Sequence, residues 1–265
     1  MSNPSHLTGK KILLTGATGG IGRALAAELA KAGASLLLSA RNAPQLAQMS
    51  AQLPGDHRYF AAEIDSAEQR QALISWAVDN QLDGLINNAG VGQLALVGEQ
   101  SEQEIESLIA INLSVPVLLC EALLASLKSR PNSLIVNIGS TLGSIGLPGS
   151  AIYGASKAGL QRYSEALRRE LSDSTVSVFY CAPRAVATAF NADNTIAMNS
   201  ELGNRSDQPE QVAAAIVRQC QRAAGSYYLG WPEKLFVRIN ALLPSLVDGA
   251  IKKQLATIKR FAKRP

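Results

Sequence analysis

Histidine is nearly absent from the sequence, with two residues in 265, and cysteine occurs three times. His6 and His57 stand apart from each other and from every cysteine, so a His/Cys zinc site or a histidine-based nucleophilic triad has little to build on. Cys120, Cys181 and Cys220 are odd in number, far apart and set among apolar neighbours, which argues against a disulfide framework and for a reducing compartment. Charge is sparse too: 17% of residues are charged against 47% hydrophobic, a balance that suits a packed interior rather than a disordered chain. No window reaches the roughly 18 apolar residues of a membrane span, and the opening MSNPSHLTGK has no apolar run of signal-peptide length. These absences predict a cytoplasmic protein without a structural metal.

The charge that is present is unevenly placed. From Gly230 onward eight Lys/Arg face only Glu233 and Asp248, a surplus of +6 within a total of +4. Composition also changes after Tyr228, where GWPEKLF opens a basic, apolar-rich tail. We therefore expect one domain, with residues 1–229 as its main body and 230–265 as a helical extension.

KKILLTG reads as a short buried strand ended by a Gly-rich turn, a helix follows from about Ile21 to Ala32, and SLLLSAR (35–41) is a second strand. Together they form a βαβ unit with a right-handed crossover. Further strands are predicted near 57–61, 83–87, 132–138, 175–181 and 226–229, with helices near 66–79, 102–127, 154–172 and 208–223. Apolar strands without polar alternation belong in a parallel sheet covered on both faces. The expected fold is thus α/β: a doubly wound, Rossmann-like sheet of about seven strands with helices on both faces. Residues 189–207 are polar and weakly periodic, and are read as a mobile loop that orders over a ligand.

Between the first strand and first helix stands Thr15-Gly16-Ala17-Thr18-Gly19-Gly20-Ile21-Gly22. Glycines here let the backbone approach a pyrophosphate, and the helix N-terminus offers N–H donors and partial positive charge; the plainer alternative is a tight turn. Its T-G-x-x-x-G-x-G spacing resembles that of the short-chain dehydrogenase/reductase family. Further segments agree in order: Asn87-Asn88-Ala89-Gly90 is similar to the family's N-N-A-G, Asn112 falls in the long helix where the family has a catalytic-site Asn, and Tyr153-Gly154-Ala155-Ser156-Lys157 matches its Y-x-x-x-K, with Ser140 thirteen residues ahead of Tyr153. The likeness spans roughly residues 8 to 229.

The resemblance implies an NAD(P)-dependent oxidoreductase with Asn112, Ser140, Tyr153 and Lys157 as its catalytic set. It places the dinucleotide on Gly16, Thr18, Gly19, Gly20, Ile21 and Gly22, and on Asn88, Ala89 and Gly90. It has Lys157 also touch the nicotinamide ribose and Asn112 anchor a proton-relaying water. After the third strand it puts Glu63 and Ile64 near the adenine, with Asp65 as the other candidate acid. Pro183, Val186 and Thr188 match the family's P-G-x-V-x-T, Thr188 as a carboxamide contact, although Arg184 stands where Gly is usual.

The residues support this chemistry without the name. Tyr153 and Lys157, four apart on a predicted helix, share a face, and a nearby ammonium is expected to lower a phenol pKa from about 10. Tyr153 is then a general acid/base, and Ser140 a hydrogen-bond donor to the same substrate oxygen. Ala40-Arg41 closes the second strand with no carboxylate to repel a 2′-phosphate and a guanidinium to pair with it, so NADP(H) is preferred and NAD(H) remains open.

In the tail Leu235, Ile239, Leu242, Leu243 and Leu246 recur at helical spacing, and beyond Pro244 and Gly249 come Ile251, Leu255 and Ile258 with Lys252, Lys253, Lys259 and Arg260 on other faces. One or two amphipathic helices are expected, packed on their own domain, on a dimer partner, or peripherally on an anionic membrane, and not on nucleic acid. An apolar tail favours a hydrophobic, lipid-like ketone, aldehyde or secondary alcohol as substrate. Two other readings stay open: a 3-oxoacyl-thioester reductase, with Arg162, Arg168 and Arg169 as a patch for an acidic carrier, and a non-catalytic dinucleotide-binding module. The family resemblance further implies a homodimer built on the helices near 102–127 and 154–172.

Overall fold

A computed structural model describes residues 7–222 and 224–263, and among them seven strands form one parallel sheet. They are β1 (Lys11–Thr15), β2 (Ser35–Ala40), β3 (Arg58–Ala61), β4 (Gly84–Asn87), β5 (Ser133–Ile138), β6 (Val176–Ala182) and β7 (Gly225–Tyr228), in the order β3-β2-β1-β4-β5-β6-β7. Leu13 pairs with Leu37 on one side and Leu85 on the other, so β1 is an interior strand, third of the seven. Every residue of β4 and β5 is buried, as the unalternating apolar runs required. The order reverses between β1 and β4, and the carboxyl ends of these strands part into a crevice.

Helices cover both faces. On one side α1 (Gly20–Lys31) inserts Leu25 and Leu29 beneath β1 and β2, in a core shared with Leu46 and Met49 of α2 (Ala43–Gln52) and Ile216 near the end of the chain's second half. Each fully buried leucine contributes about 1.5–3 kcal/mol relative to exposure. On the other side lie α3 (Ala67–Asp79), α4 (Glu102–Ile109), α5 (Val115–Lys128) and α6 (Ala151–Glu170), with Leu73, Leu119, Leu123 and Leu167 in a second core. A π-helical turn, Ala110–Ser114, joins α4 to α5 and turns Asn112 inward. The continuous run Glu102–Lys128 is long and apolar enough to cross a membrane by length and composition, contrary to the sequence expectation. Here it is a core helix, its leucines at 119, 123 and 127 packed on the sheet.

Two helices went unpredicted. Asn42 caps α2 by accepting from the Gln45 N–H, with Pro44 in the first turn, but only Leu46 and Met49 are buried, a pair too sparse to register as periodicity. The stretch 189–207, expected as a mobile loop, contains α7 (Asp193–Glu201), which buries Met198 alone and so looked polar in sequence. After α8 (Pro209–Cys220) and β7, the tail forms α9 (Glu233–Leu242) and α10 (Pro244–Ala262), broken at Pro244 while α10 runs through Gly249. Ile258 and Ala262 of α10 join Leu94 and Met198 in a small separate core above the crevice. His6, the end of the helix predicted over 208–223 at Ala223, and Arg264 and Pro265 of the tail lie outside the described residues.

Candidate active site

The crevice at the strand ends opens into a cleft of about 1270 Å³. Its floor is the turn after β1. Gly16 adopts φ +63° and lies so close to the end of β4 that a Cβ there would sit 2.8 Å from the Ala89 Cα. At Gly22 a Cβ would come within 2.1 Å of the Gly16 carbonyl oxygen, so the helix could not start where it does. Thr15 and Asn88 lock this turn. The Thr15 hydroxyl accepts from the backbone N–H groups of Asn88 and Ala89, and the Asn88 side-chain amide donates to the Thr15 and Gly16 carbonyls, all at 3.1 Å. The N-terminus of α1 carries no side-chain cap, which leaves its amides facing the cleft. Beside it the buried Ser39 hydroxyl, also on the wall, has no hydrogen-bond partner among the described residues. A cradle too tight for side chains, open amides and an orphaned hydroxyl fit a dinucleotide.

The expected loop residues Gly16, Thr18, Gly19, Gly20, Ile21 and Gly22 line the cleft together with Asn88, Ala89 and Gly90. Arg41 and Ile64 stand at one end, and Pro183, Val186 and Thr188 at the other, around Ser140, Tyr153 and Lys157. Two of the expected residues lie off the cleft wall. Glu63 is exposed and off the wall, its N–H donating to the Gln69 side chain, because β3 ends at Ala61 and the chain turns; Asp65 lines the cleft instead. Asn112 is fully buried behind the wall. Its Oδ1 accepts from the Val91 N–H at 2.9 Å, while Nδ2 donates to the Val91 carbonyl at 2.8 Å and the Ser156 hydroxyl at 3.3 Å. That side chain holds the strand-β4 exit in place, with both Nδ2 hydrogens committed and one acceptor site of Oδ1 filled.

Tyr153 sits in the first turns of α6 and Lys157 one turn on, both facing the end of β5. The Lys157 ammonium donates to the Ile138 carbonyl at 3.0 Å and lies 6.0 Å from the Tyr153 ring centre. Burial lowers the Lys157 pKa to about 8. Burial also raises the Tyr153 phenol, offset in part by its hydrogen bond with Ser140. The expected depression of Tyr153 by Lys157 is therefore not found: desolvation outweighs the charge one turn away. The Ser140 hydroxyl accepts from the Leu142 N–H at 3.2 Å, fixing its direction.

Several residues escaped the sequence reading. Tyr180 of β6, fully buried, receives the Ser140 N–H and meets the carbonyls of Ser140 and Lys157, each at 3.4 Å, and so braces both. Phe190 packs at 6.2 Å, ring to ring, on Tyr153. Phe236 of α9 and Val247, Ala250 and Ile251 of α10 also reach the cleft, giving it an apolar outer wall. Arg184, at the unusual position, turns away from the cradle: it forms two bonds with Asp207 (3.0 and 2.6 Å), two with Glu233 (3.1 and 3.4 Å) and one with the Trp231 carbonyl (2.7 Å). It thereby ties the loop after β6 to the start of the tail. Arg162 and Arg169 both pair with Glu165 on the outside of α6, and both remain largely exposed.

A doubly wound sheet whose switch-point cleft gathers Ser140, Tyr153 and Lys157 beside a glycine cradle defines a nicotinamide-dependent oxidoreductase. The profile of the short chain dehydrogenase family matches residues 10–199, and the chain belongs to that family as an NAD(P)-dependent dehydrogenase/reductase. It is 34% identical to the ketoacyl reductase HetN of Nostoc sp. over 91% of this chain and 88% of the relative. It is equally identical, 34%, to a D-threitol dehydrogenase of Mycolicibacterium smegmatis, over 83% of this chain and 88% of that one. Among solved structures, a short-chain dehydrogenase from Streptomyces avermitilis superposes with a TM-score of 0.79 at 25% identity, covering 91% of this chain and 95% of the other.

Proposed function

We propose that the protein is an NADP(H)-dependent reductase or dehydrogenase of apolar ketones, aldehydes and secondary alcohols, with Tyr153 as the group that passes the proton. The observation that carries this reading is the position of Tyr153 at the seam of two unlike walls. On one side is the glycine cradle; on the other stand Ile145, Leu147, Phe190, Met198 and Phe236. A ketoacyl reductase and a D-threitol dehydrogenase are equally similar to the chain, so likeness does not choose between substrates. An outer wall rich in leucine, methionine and phenylalanine favours the apolar class.

Bound nicotinamide would supply hydride to a carbonyl carbon, or take it from an alcohol. Burial keeps the Tyr153 phenol protonated at neutral pH, the state needed to donate to the carbonyl oxygen. Ser140, aimed by the Leu142 N–H and braced by Tyr180, holds that oxygen in line. Lys157, anchored on the Ile138 carbonyl, keeps a positive charge near the phenol up to about pH 8 and stabilises the tyrosinate left after transfer. Arg41, exposed on the cleft wall with no acid on the strand end beside it, supports the choice of NADP(H). The same reading carries a homodimer through the outer faces of α5 and α6, where Leu118 is exposed, and a cytoplasmic setting, in keeping with three buried free thiols.

Likeness to a ketoacyl reductase favours one second reading, a 3-oxoacyl thioester as the apolar carbonyl. Steady-state turnover with NADPH and NADH over medium-chain ketones, a 3-oxoacyl thioester and sugar alcohols separates these readings. We expect NADPH with the medium-chain ketones to give the highest kcat/KM; a preference for sugar alcohols, or for NADH, would sink the proposal.

A further inference from the structure

The hairpin of α9 and α10 has two faces of different character. Its inner face closes the cleft, through Phe236, Val247 and Ile251. Its tip points outward and is apolar: Leu242 is 80% exposed, Leu243 55% and Leu246 62%, with Trp231 at 66% near the hairpin's start. Three leucines within five residues at a protruding corner is more apolar exposure than scattered surface leucines explain. Behind the tip the helices carry exposed Arg238 on α9, and Lys252 and Lys253 on α10, all exposed, with Lys234 half-buried at the α9 start. Asp248 is the acid nearest the tip in sequence, and the segment from Gly230 onward holds eight Lys/Arg against two acids. Arg260 of α10 is set apart, paired with Glu201 of α7.

We propose that this corner docks on an anionic lipid bilayer, with Leu242, Leu243 and Leu246 in the acyl boundary and Arg238, Lys252 and Lys253 at the phosphate level. Both parts of the surface are required by this arrangement. A convex apolar tip enters hydrocarbon without needing a complementary groove, and cations one to two helical turns behind it meet lipid headgroups with their stems laid along the helix. A partner protein of acidic surface would satisfy the cations and leave the leucine tip in water unless it also offered a pocket. The charge surplus disfavours a second copy of the same corner, since two tips brought together would oppose their basic collars. Docked in this way, the hairpin places the mouth of the cleft beside the acyl region. An apolar substrate then moves from bilayer to Tyr153 along Phe236 and Ile251 without crossing water.

The test uses the full chain and needs no turnover, so its outcome is independent of the proposed reaction. Co-sedimentation is measured with vesicles of phosphatidylglycerol and phosphatidylethanolamine, and with vesicles of phosphatidylcholine alone. We expect binding to the anionic vesicles only, weakened by added salt. Leu242→Asp with Leu246→Asp should lower the partition coefficient by roughly tenfold per leucine. Lys252→Glu with Lys253→Glu should lower it by about thirtyfold or more. These four side chains are exposed and off the cleft wall, so thermal melting and turnover of a water-soluble carbonyl should match the parent protein. No vesicle binding, equal binding to both lipid mixtures, or unchanged binding by either double variant overturns the proposal. So does a fall in oligomeric mass on Leu242→Asp without vesicle binding, which would assign the corner to self-association.

Discussion

The two walls of the cleft are built from different material. The cradle wall is backbone and small residues at strand ends, held by bonds such as those of Thr15 and Asn88, and its shape answers to a ligand that does not vary. The outer wall is side chains carried on α7, α9 and α10, helices that touch the sheet little and each other more. Chemistry common to the family sits on the first wall, and the proposed function assigns selection among substrates to the second. Tyr153 and Phe190 in ring contact mark the line where they meet.

The largest effect is expected at that line. Tyr153→Phe removes the transferable proton and keeps the ring against Phe190, so kcat should fall by about 10²–10⁴-fold with NADPH binding unchanged. Loss of turnover together with loss of cofactor binding would mean that the phenol holds the cradle together, and the division between walls would not stand. Stopped-flow turnover beside a fluorescence titration of NADPH reads both.

Lys157 sharpens the comparison from the scaffold side. In the folded protein its proton leaves near pH 8, whereas an unfolded lysine keeps it to about 10.5. Between these values the unfolded state binds more protons, so the site's contribution to stability rises with pH; below about 8 the cost of the buried charge is present in full. Lys157→Met should therefore be inactive yet more stable at pH 7. The gain is about 2 kcal/mol, from roughly 3 for the buried charge less about 1 for the lost bond to the Ile138 carbonyl. Denaturant melts at pH 7 measure it, and a variant less stable than its parent refutes the account. In the parent, kcat/KM for carbonyl reduction should decline as pH passes about 8 and that charge is lost.

Arg41 tests whether the cradle's far end reads the cofactor. Arg41→Ala should raise KM for NADPH by about 10–30-fold and leave NADH within about twofold, because the guanidinium has only the 2′-phosphate to pair with. Equal weakening of both cofactors would make Arg41 a general electrostatic contributor.

How far the sequence could be read follows the same division. The strands were legible because runs such as SLLLSA have one structural use in an α/β chain, and the positions of Ser140, Tyr153 and Lys157 were legible because their spacing is fixed by that sheet. Asn112 was found but its work was not: only coordinates show both ends of its amide engaged with Val91. The sequence left two candidate acids after β3, Glu63 and Asp65, because they are equivalent to any pattern; a turn puts Asp65 on the cleft wall. Tyr153's raised pKa was hidden because desolvation is a property of depth, which spacing does not encode. The outer wall was least legible. Helix α7 buries one residue, and the inward set on α10 is divided between the cleft and the small core with Leu94, so neither shows a clean apolar stripe.

Arg184 joins the two walls, and its replacement has the smallest expected effect. Its side chain is 12% exposed, with its guanidinium shared among Asp207, Glu233 and the Trp231 carbonyl. Arg184→Ala leaves two partly exposed carboxylates that water can reach, so the cost is about 1–2 kcal/mol and not that of a fully buried pair. For a domain of this size that corresponds to a fall of roughly 3–6 °C in Tm. Freed at its base, the hairpin would shift the outer wall and spare the cradle: KM for a medium-chain ketone should rise several-fold while KM for NADPH stays put. Arg184→Lys can keep the charge but not the paired geometry with Asp207, and should fall between the two. If instead NADPH binding weakens and the ketone is unaffected, Arg184 acts on the cofactor, and the joint between sheet and tail lies elsewhere.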